Sequence, residues 1–99
     1  IGDFLILDAV RESNGFAVAV DDNVIQSAQE DCAKKEGILL CPEGAATLAA
    51  YKQELVSGRI GKDEQAVLFN CATGLKYPMP PAGENIDLNR PIDYASLAS

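Results

Sequence analysis

Histidine is absent from this chain of 99 residues, and with it go the commonest general base near neutral pH and the commonest transition-metal ligand. Any acid–base chemistry here must come from other groups. Positive charge is scarce too: eight Lys and Arg stand against fifteen Asp and Glu, for a formal charge of −7, with the acids scattered rather than gathered in a tail. Such a surface repels polyanions, which argues against nucleic acid and anionic membrane as partners. The three cysteines, Cys32, Cys41 and Cys71, form no CxxC pair and no zinc-like spacing, and their odd number fits a reducing compartment better than a disulfide framework. No apolar run approaches the roughly 18 residues that span a bilayer, and no basic segment precedes the first one. These absences point to the cytoplasm, although a plastid form with its transit peptide removed would look the same.

What is present suits one small globular domain. Of the residues 47% are apolar and 23% charged, with no low-complexity tract and no internal repeat, so order is favoured wherever the core is complete. A chain this short buries only about two-thirds of the surface its unfolded form exposes, and it has no room for a two-domain enzyme. It opens on Ile1 rather than Met, within two residues of a helical pattern, which fits a start in mid-protein.

From about 2 to 13, Phe4, Leu7 and Val10, with Leu5 and Ala9 beside them, recur at three- and four-residue spacing opposite Asp3, Asp8, Arg11 and Glu12, which predicts an amphipathic helix. Asn14-Gly15 stops it. The run Phe16-Ala-Val-Ala-Val20 is short, continuous and apolar, as expected of a strand covered on both faces in a parallel sheet. Asp21 or Asp22 can cap a second helix over 22–36, with stripe Val24, Ile25, Ala28 and Cys32, Lys34 and Lys35 at its negative end, and Gly37 to terminate it. Residues 38–41 read as a short strand or bridge. Pro42 suits a first helical position and Glu43 the positive end of a third helix over 43–57, closed by Gly58. After a polar loop, 66–71 reads as another buried strand. Beyond Lys76 the chain carries Pro78, Pro80, Pro81 and Pro91 and loses its periodicity.

The expected fold class is therefore α/β, with parallel strands and covering helices: a partial domain over 1–78 and an irregular tail over 79–99. Two or three parallel strands cannot form a stable doubly covered sheet alone, so neighbouring strands have to be supplied by another segment.

Two stretches carry the chemistry: Glu36-Gly-Ile-Leu-Leu-Cys-Pro-Glu-Gly-Ala-Ala-Thr-Leu-Ala49, and Asn70-Cys-Ala-Thr-Gly-Leu-Lys-Tyr-Pro78. The second delivers polar side chains where a buried strand would end, which is where open α/β sheets bind ligands, and Gly74 would let backbone approach a flat ligand closely. By pattern alone it reads first as a loop that merely leaves a sheet.

Together the two stretches resemble the C-terminal part of pyridoxal-phosphate enzymes of the tryptophan-synthase-β type, and within that group the threonine synthases, over roughly residues 2–78. In that family a strand ends in a Ser or Thr whose hydroxyl hydrogen-bonds the pyridine nitrogen of pyridoxal 5'-phosphate, followed by two residues, a Gly and usually a Lys two places on. Matching Gly74-Leu75-Lys76 to that pattern without gaps puts Cys71 at the hydroxyl position, a departure from the family because a thiol is the weaker donor; a local shift gives the role to Thr73. A weakly donating partner leaves the ring nitrogen largely unprotonated, which suits elimination and replacement at the β-carbon. The same comparison sets Glu43 on a glutamate that tryptophan synthase β chains place near the cofactor ring. Each has an ordinary structural reading beside it: a small buried apolar side chain for Cys71, and helix-dipole complementation for Glu43. Cys32 and Cys41 read as structural.

The resemblance implies a lyase fragment, from an enzyme that converts O-phosphohomoserine and water to threonine and phosphate. It implies as partners the remainder of the enzyme chain and a small-molecule substrate, and it allows a homodimer of the full enzyme. Of the five lysines, Lys34, Lys35, Lys52, Lys62 and Lys76, none sits where the family's cofactor-bonded lysine does, and no Gly-rich phosphate loop is present. The fragment alone is expected to be inactive. Other enzymes of the same fold type, a threonine dehydratase or a sulfur-amino-acid synthase, and a non-catalytic α/β interaction module are the alternatives.

Overall fold

The computed structural model describes residues 2–79, 83 and 85–97. Three helices carry it, α1 (Asp3–Glu12), α2 (Asp22–Glu36) and α3 (Pro42–Ser57), followed by a single 3₁₀ turn at Gly74–Lys76 and a last short helix, α4 (Tyr94–Leu97). Pro80 and Pro81, two of the prolines that mark the tail, lie outside the described residues, as does Ile1.

The helices begin and end where local chemistry dictates. α1 stops as Asn14 turns into the left-handed region at φ 55°, which Asn tolerates better than most residues, and Gly15 N–H closes back on Val10 O at 2.8 Å. α2 ends at Gly37, φ 68°, whose N–H reaches Ala33 O. Asp21 occupies the N-cap of α2, but its side chain makes no capping bond. α3 starts with Pro42 in its first turn and ends at Gly58, φ 81°.

α2 and α3 pack together, and the centre of their contact is made of small side chains: Ala28 on one helix, Ala45 and Ala49 on the other, with Cys41 fully buried at the approach to α3. Small residues let two helix backbones come close, but each brings little apolar area, at about 0.8 kcal/mol per buried methylene. Ion pairs add a cross-link, since Asp31 accepts from Lys35 and, across the helix pair, from Lys52, both at 3.1 Å. Hydrogen bonds to those two lysines hold the Asp31 carboxyl below the usual carboxylate range.

The expectation of an α/β domain with parallel strands is corrected by this structure. Among the described residues there is no strand and no sheet: 16–20 and 66–71 are irregular, and 38–41 contributes one isolated bridge, Leu40 to Thr73, which is antiparallel. The physical reason lies in what an apolar run encodes. It shows that a segment gains by burial, but a strand exists only when a neighbour takes up its backbone groups, and these segments meet none here. Val67 is 96% exposed and Phe69 74%. The apolar face of α1 is bare as well, with Phe4, Leu5, Ile6 and Leu7 all more than half exposed. The radius of gyration is 17.7 Å, against about 13 Å for a compact domain of this length. The chain thus forms one helix pair with a folded-back loop and leaves several apolar faces uncovered. No helix among the described residues is long and apolar enough to cross a membrane.

Candidate functional site

Two segments distant in sequence meet at the N-terminus of α3. Residues 70–77 are laid against 39–43 by the Leu40–Thr73 bridge and by Gly74 N–H donating to Leu39 O at 3.1 Å. Gly74 is buried there, and a Cβ on it would lie 2.7 Å from both Leu39 Cγ and the Leu40 carbonyl oxygen. Only glycine lets the two backbones approach this closely. Gln29 of α2 braces the other side, its Nε2 donating to Leu40 O at 2.6 Å.

Cys41 is the junction. It is the N-cap of α3, its sulfur accepts Gly44 N–H at 3.3 Å, and its thiol donates to Asn70 Oδ1 at 3.2 Å. The Asn70 amide in turn fills the space beside Gly44, where a Cβ would come within 2.9 Å of Asn70 Cγ. Cys71 follows directly, exposed to solvent, with the Cys41 thiol as a neighbour. Partial desolvation, then the Cys41 thiol beside it, then the Glu43 charge push the Cys71 thiol above its usual range.

Glu43 stands in the first turn of α3 and accepts the Tyr77 hydroxyl at 2.9 Å. Its own backbone N–H, then Tyr77 and then Cys41 hold its carboxyl below the ordinary value, while the same bond to Glu43 pushes the Tyr77 phenol up. Because the Glu43 pKa is depressed, these bonds contribute at neutral pH and are lost as pH falls through the folded value. Replacing Tyr77 with Phe removes one donor to the carboxylate, so the Glu43 pKa rises toward that of a free glutamate. A carboxyl carbon NMR titration of the full-length protein reads this directly; an unchanged midpoint would mean that the Tyr77 bond is not made in solution.

The three residues singled out from the sequence fall out unevenly. Cys71 and Glu43 come into one cluster. Thr73 does something else, its Oγ1 accepting Leu75 N–H at 3.3 Å to start the 3₁₀ turn. Sequence reasoning missed Cys41, Asn70 and Tyr77, which hold the cluster together. One signal for Cys41 was available: it immediately precedes Pro42, and a residue before a helix-opening proline is an N-cap. Nothing local marks Asn70 or Tyr77, because their partners lie about thirty residues away, at Cys41 and Glu43.

An open groove of about 600 Å³ lies elsewhere, between α2 and α3, lined by Val24, Ala28, Lys34, Ala49, Lys52 and Val56 among others. It is mostly apolar and shares no lining residue with the thiol cluster, and its charges Asp31 and Lys52 are already paired. Among the described residues no cluster of His, Cys, Asp and Glu is arranged to hold a metal ion.

Most of this thiol-and-carboxylate cluster falls inside the stretch that a family comparison matches. A family model described as pyridoxal-phosphate dependent enzyme matches residues 2–72, ending one residue past Cys71, and the chain belongs to that family. Its curated relatives include the threonine synthase of Methanocaldococcus jannaschii, 43% identical over 72 residues, covering 73% of this chain and 18% of the relative. The threonine synthase of Methanosarcina acetivorans is 42% identical over 72 residues, with the same coverage. That of Halalkalibacterium halodurans is 35% identical over 83 residues, 84% of this chain and 23% of the relative. The chain thus spans between 18% and 23% of the length of these relatives. No solved structure matches it.

Proposed function

We propose that this chain is a segment of a threonine synthase, an enzyme that takes O-phosphohomoserine and water to threonine and phosphate as a pyridoxal-phosphate dependent lyase. The observation that carries the reading is the 43% identity to a threonine synthase over 72 residues, 73% of this chain. The remainder of the enzyme chain and a small-molecule substrate are its partners in this reading. The apolar faces left open on α1 and at 66–69 are where that remainder packs.

The residues present fit one edge of the cofactor. Cys71 offers an exposed S–H, next to a helix N-terminus, as a weak donor to the ring nitrogen. Glu43 keeps its carboxylate ionised at neutral pH beside it, held by Tyr77. The phosphate end is not provided for here, and among the lysines Lys35 and Lys52 are committed to Asp31. When bound, the cofactor supplies the electron sink for charge developing on the substrate. The contribution of this chain is to hold a donor at Cys71 Sγ and a fixed negative charge at Glu43. The Thr73 hydroxyl accepts Leu75 N–H and keeps its own proton to donate, so Thr73 stands as the second candidate for the ring contact.

In the full-length enzyme, Cys71→Ala is expected to shift the visible band of the bound cofactor and to lower kcat about tenfold, the worth of one lost hydrogen bond of about 1.4 kcal/mol. Cys71→Ser, which restores a donor, keeps both near the parent. Should Thr73→Ala produce these effects and Cys71→Ala neither, the ring contact belongs to Thr73; if both variants leave spectrum and turnover unchanged, the assignment is wrong.

A further inference from the structure

Two thiols thirty positions apart in sequence are brought together by backbone contacts that do not depend on either sulfur: the Leu40–Thr73 bridge, and the Gly74 N–H bond to Leu39 O. One thiol is fully buried and the other is open to solvent. Asn70, adjacent to Cys71, already touches the Cys41 sulfur at 3.2 Å. Nothing in the proposed chemistry uses Cys41. From this juxtaposition we infer that Cys41 and Cys71 form a reversible intramolecular disulfide when the protein meets a peroxide.

The chemistry balances in two steps. The Cys71 thiolate attacks one peroxide oxygen; an S–O bond forms, the O–O bond breaks, and the leaving hydroxide takes up the thiol proton as water. The Cys41 sulfur then attacks the sulfenic sulfur; the S–S bond forms, the S–O bond breaks, and a second water leaves with the Cys41 proton. The two sulfurs together lose two electrons and the peroxide gains them. In this segment Cys71 is exposed and Cys41 buried, so Cys71 meets the oxidant first wherever the cofactor does not cover it, and Cys41 is placed to resolve it. The bond requires the two sulfurs to close to roughly 2.05 Å.

The groups facing Cys71 are Cys41, Glu43 and Tyr77. Partial desolvation, then Cys41, then Glu43 raise its pKa, so the reaction quickens as pH rises. A consequence that rests on the proposed cofactor contact is that oxidation ties the Cys71 sulfur back to α3 and takes its S–H away from the ring nitrogen.

The test is peptide mapping of the full-length protein after hydrogen peroxide, with and without cofactor bound. Trypsin places Cys32, Cys41 and Cys71 on three different peptides, 12–34, 36–52 and 63–76. The expected result is a linked 36–52/63–76 species, about 2 Da lighter than the sum of its parts, that disappears on reduction and forms several-fold faster at pH 9 than at pH 7. Cys32→Ser leaves it unchanged, and Cys41→Ser diverts Cys71 to sulfinic acid. Formation of sulfinic acid on Cys71 in the unsubstituted protein, with no linked peptide, overturns the inference. The readout is independent of activity, so a failed cofactor assignment and a failed thiol pair are told apart.

Discussion

Gly74→Ala is expected to detach the 70–77 loop from the approach to α3. The added Cβ would sit 2.7 Å from the Leu40 carbonyl oxygen as well as 2.7 Å from Leu39 Cγ. A leucine side chain can rotate away, but the carbonyl cannot, because it belongs to the segment the loop is paired with and already accepts from Gln29 at 2.6 Å. Relief has to come from separating the two backbones, which stretches the Gly74 N–H bond to Leu39 O and opens the Leu40–Thr73 bridge. Overpacking of this kind costs about 1–3 kcal/mol. Hydrogen exchange at the Gly74 amide in the full-length protein should accelerate about tenfold to a hundredfold, and the fraction of protein that retains cofactor should fall with it. Protection at Gly74 equal to that of the parent would show that the close approach is not made. Gly44→Ala is the milder comparison, since the three atoms nearest its Cβ all belong to the Asn70 side chain.

A second large effect is expected from Arg59→Ala. Glu54 is the one buried charged side chain in the described residues, 4% exposed, and its carboxylate is held by Arg59 Nε at 3.2 Å with help from Ser57 and Gln53. The same guanidinium lies 4.6 Å from the centre of the Phe16 ring. Arg59 therefore clasps the stretch after α1 onto the C-terminal end of α3. Removing it leaves a buried carboxylate with only neutral donors, which costs about 3–5 kcal/mol for a fully enclosed pair. Arg59 is itself about half exposed, so solvent screening reduces that to about 1–3 kcal/mol. The reporter is the Ile60 amide, which donates to Glu54 O at 3.2 Å; its exchange should quicken by at least tenfold, with Arg59→Lys recovering part of the protection. Unchanged exchange would mean that water already satisfies Glu54.

How far the fold could be read from the amino acids differs by element, for a physical reason. The three long helices were legible because their signals are local: Asn14-Gly15, Gly37 and Gly58 at the ends, Pro42 at a beginning, and apolar spacing in between. The strands were not, because Phe16–Val20 and 66–71 carry the apolar character of buried chain without any neighbour to pair with, and pairing is a property of two segments. The candidate site divides the same way. Glu43 and Cys71 could be picked out by comparison with a family motif. That Cys41 was more than filler, and that Asn70 and Tyr77 clamp the cluster, depends on contacts across about thirty residues that no spacing rule contains.

The bare strip at 66–69 and the uncovered side of α1 have a bearing on colloidal behaviour. Adhesion between such strips on different molecules is opposed by the formal charge of −7 that every copy carries, and this mutual repulsion reaches only about 8 Å at physiological ionic strength. Concentrated salt removes the repulsion while strengthening the adhesion, so the isolated polypeptide is most dispersed in dilute, mildly alkaline buffer and precipitates as its own acids are neutralised or shielded.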